Sequence, residues 1–285
     1  MSSFKILRLP HLAIENVHQY WNPHEIYLFS TLSRVTKQLS KLMKKCKIKM
    51  RLNLFEDRQI DVVLYPSDRY RWDRWFFGSI TSRTEPSVEN TLLFVVPDVM
   101  KSLINMVEHM HEVFNCEFHQ LNISFDPENK TENWRSGLPV FIKWFNAFEK
   151  VTKIPQLTVN SLAEAHLFDE FMSTLEKDVG HLDLSLDHPC DEWKFHRKVD
   201  ICRYSDTAHL SLNDLWAMDC IEIACHTHLT SEGLNQMLRA WKNGESNKRA
   251  KYFWLWLKED VQWETALNGL DPVLRDVRRV KRRNG

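Results

Sequence analysis

The chain has 285 residues, of which 43 % are hydrophobic and 27 % charged, with 38 basic side chains against 38 acidic ones. This is globular composition, long enough for one large domain or for a small module followed by a domain of ordinary size, and it excludes a disordered chain. The balanced charge removes any chain-wide field that would argue for nucleic acid, a membrane surface or acidic substrates.

Eleven Trp and sixteen Phe stand against seven Gly. Few glycines leave few tight phosphate-type loops, and many aromatics give a large contact area per residue. No run of eighteen apolar residues and no secretory leader is readable, so a soluble protein of the cytoplasm and/or nucleus, without membrane contact, is expected. Six cysteines without a C-x-x-C pair read as free thiols.

Residues 4–45 read as three short helices. Pro10 suits a helix start, and Leu12, Val17, Tyr20 and Trp21 follow at helical spacing. Asn22-Pro23 stops the first helix and opens a second, which carries Ile26, Leu28, Phe29, Leu32 and Val35. Lys37, Lys41, Lys44 and Lys45 mark a basic third segment. So many apolar residues in so short a piece must be buried against a partner or against the rest of the chain.

Residues 47–96 read as a small antiparallel β segment, with strands over 51–55, 61–65, 75–80 and 92–96. From residue 98 helix and strand alternate. Asp98 caps a helix with Val99, Leu103, Val107 and Met110 on one face. A strand over 121–125 follows, then a helix opened by Ser136 and Pro139 and carrying Phe141, Trp144, Phe145 and Phe148. Strand 156–160, a helix with Leu167, Phe171, Met172 and Leu175, and strands 181–186 and 220–225 come next. Thr230 or Ser231 caps a helix that Asn243-Gly244 ends, and 252–257 is the last strand. Strand, helix, strand in this order requires parallel strands with crossover helices. The recurrence suggests a degenerate leucine-rich-repeat-like array, although no single motif repeats, and a compact α/β domain built from the same elements is the alternative.

No catalytic signature is present: no G-x-S-x-G, no P-loop, no G-x-G-x-x-G and no H-E-x-x-H. His226-Thr227-His228, at a strand end near Cys220 and Cys225, is the better of two H-x-H pairs, but no further ligand accompanies it, and no metal or other cofactor is expected. His109 and His111 sit on a helix, where that spacing separates them. Asp57, Asp61 and Asp73 read as turn residues. Ser185, Asp187 and His188 are too close in sequence to form a relay. The basic tail from Arg275 to Arg283 reads as a solvated terminus; nucleic acid is not expected as a partner. Along the last strand Phe253 and Leu255 alternate with Trp254 and Trp256, which reads as a strand buried on both faces, while the outward pair Trp254 and Trp256 remains a contact candidate.

The residues Leu9-Pro10-His11-Leu12, then Val17, Pro23-Glu25-Ile26 and Leu28 to Lys37, resemble an F-box. Thr36 and Leu39 stand near the places where F-boxes often carry Cys and Trp. The remainder is similar to the F-box-associated domain of a large, nematode-expanded F-box family, through Ile154 to Val159, His209 to Leu215, Met218 to Ile223 and Leu229 to Gly244. The resemblance implies a module over 1–46, a β-rich connecting segment over 47–97, an F-box-associated α/β domain over 98–273 and a basic tail over 274–285. The implied fold is α+β or α/β, with a helical N-terminus, a short antiparallel segment and a leucine-rich-repeat-like domain.

The implied function is that of a substrate-recruiting subunit of an SCF-type E3 ubiquitin ligase, without catalytic residues of its own. It would bind a Skp-type adaptor, and through it a cullin, by Leu9, Pro10, Leu12, Val17, Trp21, Ile26, Leu28 and Leu32. A target protein would be met by loop residues such as Tyr70, Trp72, Trp75, Trp193, His226 and His228. The alternative is a non-catalytic α/β protein-interaction scaffold outside any ligase.

Overall fold

The computed structural model describes residues 10–18, 20–42, 48–55, 60–66, 73–78, 91–96, 98–125, 132–161, 165–186, 199–204 and 210–271. It is a mixed α/β fold whose strands join one sheet.

Three short helices come first: α1 (His11–His18), α2 (Pro23–Thr31) and α3 (Arg34–Leu42). The carbonyl of Pro10 accepts from the amides of Ala13 and Ile14, so Pro10 stands immediately before α1. Asn22 caps α2 in a reciprocal box: its Oδ1 accepts from the Glu25 amide at 2.9 Å, and Glu25 Oε2 accepts from the Asn22 amide at 2.8 Å. Pro23 at the first helical position loses no hydrogen bond there. Ser33 and Thr36 cap α3, each hydroxyl accepting the other's backbone N–H.

The strands are β1 (Ile48–Phe55), β2 (Ile60–Pro66), β3 (Asp73–Gly78), β4 (Thr91–Val95), β5 (Glu117–Phe125), β6 (Lys153–Ser161), β7 (Asp178–Leu186), β8 (Val199–Tyr204), β9 (Glu222–Thr227) and β10 (Tyr252–Leu257). They lie in the order β10-β9-β8-β7-β6-β5-β1-β2-β3-β4. From β5 to β10 each strand pairs in parallel with the next in sequence, and β1 pairs in parallel with β5.

The helices of the larger part are α4 (Val99–Phe114), α5 (Glu132–Ala147), α6 (Ala165–Thr174), α7 (Leu212–Ala217), α8 (Ser231–Lys242) and α9 (Trp263–Ala266). A strand order that advances in one direction, with crossovers of one hand, puts the connecting helices on one face. The core is built accordingly. One row of side chains crosses seven strands: Leu52, Leu121, Leu157, Leu182, Cys202, Ile223 and Phe253. A second row runs Leu54, Ile123, Val159, Leu184, Tyr204, Cys225 and Leu255. Leu103 and Met110 of α4, Phe141 and Phe145 of α5, Phe171 of α6, Leu215 of α7 and Met237 of α8 close over both rows. The buried cysteines Cys116, Cys202, Cys220 and Cys225 are free thiols.

Several expectations need correction. The segment over 47–96 is not a separate antiparallel unit. β1 and β2, and β2 and β3, are antiparallel, but β3 and β4 are parallel, and β1 continues the main sheet. The twelve residues between Gly78 and Thr91 are enough for a crossover, which two parallel strands require. Asp61 and Asp73 lie in β2 and β3 rather than in turns. α5 starts at Glu132, and Pro139 falls inside it. β8 and α7 were not expected. The capping by Asp98 and Thr230, and the stop at Asn243-Gly244 with Gly244 at φ 69°, are as expected. Among the described residues no helix is long and apolar enough to cross a membrane.

Candidate interaction surfaces

Two surfaces emerge from this arrangement. The first belongs to α1–α3, of which α2 and α3 rest on α4. Ile26 and Tyr27 pack against the main core. The Tyr27 ring meets His109 edge-on at 5.2 Å, and Lys37 and Lys41 both pair with Glu112. The Ser30 hydroxyl donates to the Tyr27 carbonyl at 2.6 Å, so its oxygen receives the Nε2–H of His109, also at 2.6 Å. Burial and the nearby Lys37 and Lys41 lower the His109 pKa, against a smaller raising effect from Glu112. The hydrogen bonds from Lys37 and Lys41 hold the Glu112 carboxyl down at about 2. A separate small cluster joins Ile14 and Phe29 with Trp21 and Leu39, with Trp21 edge-on to Phe29 at 5.1 Å.

The other side of these helices is left to solvent. Leu12 is 73 % exposed, Leu28 47 % and Leu32 74 %, values far above those of side chains serving their own fold. Val35 and Leu42 are exposed as well. Of the residues expected at an adaptor, then, Pro10, Leu12, Leu28 and Leu32 are at the surface. Val17 and Trp21 are half-buried, and Ile26 is packed on the core. Leu9 lies outside the described residues.

The second surface is the face of the sheet opposite the helices. Side chains alternate along each strand, so the residues between the buried rows form polar rows of their own. One runs Arg51, Gln120, Gln156, His181, Ile201, Glu222 and Tyr252; the next runs Asn53, Asn122, Thr158, Asp183, Arg203, Ala224 and Trp254. Hydrogen bonds tie them together. Asn122 Nδ2 donates to Asn53 Oδ1 at 2.6 Å, Gln120 Nε2 to Asn122 Oδ1 at 2.8 Å, and Gln156 Nε2 to Asp183 Oδ2 at 3.0 Å. His181 Nε2 lies 2.9 Å from Asp183 Oδ1, and Arg203 reaches Glu222 at 3.9 Å. Burial raises the Asp183 pKa, but the hydrogen bonds from His181 and Gln156 outweigh it and the net direction is down.

This polar floor ends at an aromatic margin on β10. Trp254 and Trp256 are 54 % and 52 % exposed, so the outward pair is not a buried two-sided strand. The His226 ring stacks on Trp256 at 5.2 Å with an interplanar angle of 21°. His228 is exposed just beyond β9. Of the other expected target residues, Tyr70, Trp72 and Trp193 lie outside the described residues, and of Trp75 only the backbone, in β3, is described. The polar rows went unread in the sequence. Their signal was a five-residue pattern of polar, leucine, polar, aliphatic, polar: Gln120 to Ser124, Gln156 to Asn160 and His181 to Ser185.

Among the described residues no cluster of three or more His, Cys, Asp or Glu has metal-site geometry. Burial pushes the Cys225 thiol up to about 12, and a hydrogen bond with Cys220, reinforced by burial, raises Cys202, so these thiols stay protonated.

The sheet and its helices define a mixed α/β protein. Residues 193–255 match the family model of the F-box associated domain. That stretch includes β8, α7, β9, α8 and β10 as far as Leu255, and so Trp254 and His226 of the aromatic margin but not Trp256. No curated protein and no solved structure matches the chain.

Proposed function

We propose that this chain is the substrate-recruiting subunit of an SCF-type E3 ubiquitin ligase. The three N-terminal helices act as an F-box that grips a Skp-type adaptor, and through it a cullin. The open sheet face with its aromatic margin receives the target. The monotonic parallel strand order is read as a degenerate leucine-rich-repeat-like array that displays this face. The chain forms no isopeptide bond itself; it supplies proximity and orientation between target and ligase.

One observation carries the reading. α2 and α3 dock on α4, while Leu12, Leu28 and Leu32 of the three helices stay exposed. A helical module that only completed its own core would not expose them. The F-box associated match over residues 193–255 supports the same class of protein.

The test is co-purification of the full chain with a Skp-type adaptor. Leu12→Asp and Leu32→Asp are expected to abolish the complex and leave thermal unfolding unchanged, because both positions already face water. Undiminished recovery of adaptor with both variants would remove the F-box from the reading and leave a protein-interaction scaffold outside any ligase.

A further inference from the structure

We propose that α4 braces the adaptor grip: His109 and Glu112 are positioning residues that hold α2 and α3 in the pose Leu28 and Leu32 need, so that adaptor affinity is coupled to this contact. The proposal rests on the ligase reading above, and its test separates the two.

The three helices are too short to hold that pose alone. They have eight, nine and nine residues, below the roughly 12 at which an isolated helix becomes even marginally stable in water. The core they share is small, with Ile14 and Phe29 buried and Trp21 and Leu39 packed against them. Further burial comes from outside the module, where Ile26 and Tyr27 pack on the main core.

α4 meets both α2 and α3 through one turn. His109 and Glu112 stand three residues apart and so share a side of α4. Tyr27 and Ser30 share a side of α2 by the same spacing, and both meet His109, the ring edge-on at 5.2 Å and the hydroxyl at 2.6 Å. Lys37 and Lys41, four residues apart, share a side of α3 and converge on Glu112. Among the described residues the titratable groups that face His109 are therefore Tyr27 of α2, Lys37 and Lys41 of α3, and Glu112 of α4.

The seating of α2 sets where its leucines point. Leu28 follows Tyr27 by one residue, about 100° further round the helix. Leu32 lies four residues beyond Leu28 and shares its side. With Tyr27 and Ser30 on α4, Leu28 and Leu32 turn outward, and both are exposed. A rotation of α2 that unseats the first pair misplaces the second. An adaptor that binds the seated pose is therefore held more tightly by every contact that populates this pose. By linkage, bound adaptor strengthens the contact with α4 by the same factor.

Titration calorimetry of the full chain with a Skp-type adaptor tests the brace. Glu112→Lys turns two attractions into two repulsions and is expected to weaken adaptor binding roughly tenfold. Amide protection over residues 23–42 is expected to fall with it, while that of the strands holds. Adding Lys37→Glu and Lys41→Glu to Glu112→Lys is expected to restore both readouts. The unaltered chain is expected to lose affinity as the pH drops from 6.5 toward about 5, because a protonated His109 faces Lys37 and Lys41. His109→Gln is expected to stay level over that range. If the unaltered chain takes up no adaptor, the F-box reading falls and the brace falls with it. If it binds adaptor and Glu112→Lys binds equally well, the brace alone is overturned. A loss that the triple exchange does not restore, or that leaves protection over residues 23–42 unchanged, lies outside the contact and overturns the brace too. A pH response that survives His109→Gln overturns His109 as a positioning residue.

Discussion

His109 is where the N-terminal module and the larger domain exchange charge. Tyr27 and Ser30 of α2, Lys37 and Lys41 of α3, and Glu112 of its own helix all face it. Its folded pKa is depressed below the ordinary 6.5, so the contact is fully stabilising above that value and weakens as the pH falls through it toward the folded one. Glu112 follows lower down, with stability present above 4.5 and lost as the pH falls toward about 2. Its side chain is nearly half exposed, so the two lysine pairs stabilise by about 1 kcal/mol at most. Amide protection factors over residues 23–42, corrected for the pH dependence of intrinsic exchange, are therefore expected to fall as the pH drops below 6.5, while those of the strands hold. Glu112→Gln is expected to remove the pH dependence below 4.5 and leave the upper step in place. An upper step that survives His109→Gln would assign the titration to another group.

The strands carry a shared irregularity. Ile154 and Leu157 both face the core although three residues apart, as do Val179 and Leu182, and Val199 and Cys202. One extra residue interrupts the alternation in each: Pro155, Gly180 and Asp200, with a matching register shift between β1 and β5. Pro and Gly inside strands mark such places. At Gly180 the reason is contact, because a Cβ there would lie 2.7 Å from the carbonyl oxygen of Pro155. Gly180→Ala is expected to cost roughly 1–3 kcal/mol, read as a lower urea midpoint with unchanged slope. An unchanged midpoint would mean that β6 and β7 separate freely here. The same irregularity explains what the sequence could and could not reveal. Regular alternation over Gln156 to Asn160 and over Tyr252 to Leu257 identified β6 and β10. β8 escaped because Asp200, which pairs with Lys153 and Arg249, breaks its pattern. α7, six residues long, is too short to show a period. No local signal gives the direction of β4, which pairs in parallel with β3. The exposed leucines of α1 and α2 were legible as an excess of apolar residues. The open sheet face was not, since alternating polar residues look the same whether they face bulk water or a binding surface.

At the scale of the whole molecule, the family match and the cooperative unit have different boundaries. The F-box associated match begins at residue 193, but the rows that bury β8 continue through Leu182 and Leu157 to Leu52. Cys202 and Tyr204 are buried against Leu182 and Leu184 of β7, which the match does not include. Inside the match, local ties are dense. Asn247 donates from its side chain to the Leu215 and Met218 carbonyls, and Arg249 reaches Asp200 at 2.5 Å and the Asp219 carbonyl at 2.9 Å. These bonds order loops; they do not replace the missing apolar neighbour. Each strand pairs only with its immediate neighbours, so a cut through the sheet leaves a row exposed. A fragment of residues 193–271 is therefore expected to show no cooperative thermal transition, whereas residues 48–285, which keep every described strand, are expected to unfold in a single one. A sharp transition in the short fragment would show that the matched segment is a domain in its own right. That sheet face would then be two surfaces side by side, and the hydrogen-bonded floor from Asn53 to Asp183 would no longer belong to the half proposed to receive a target.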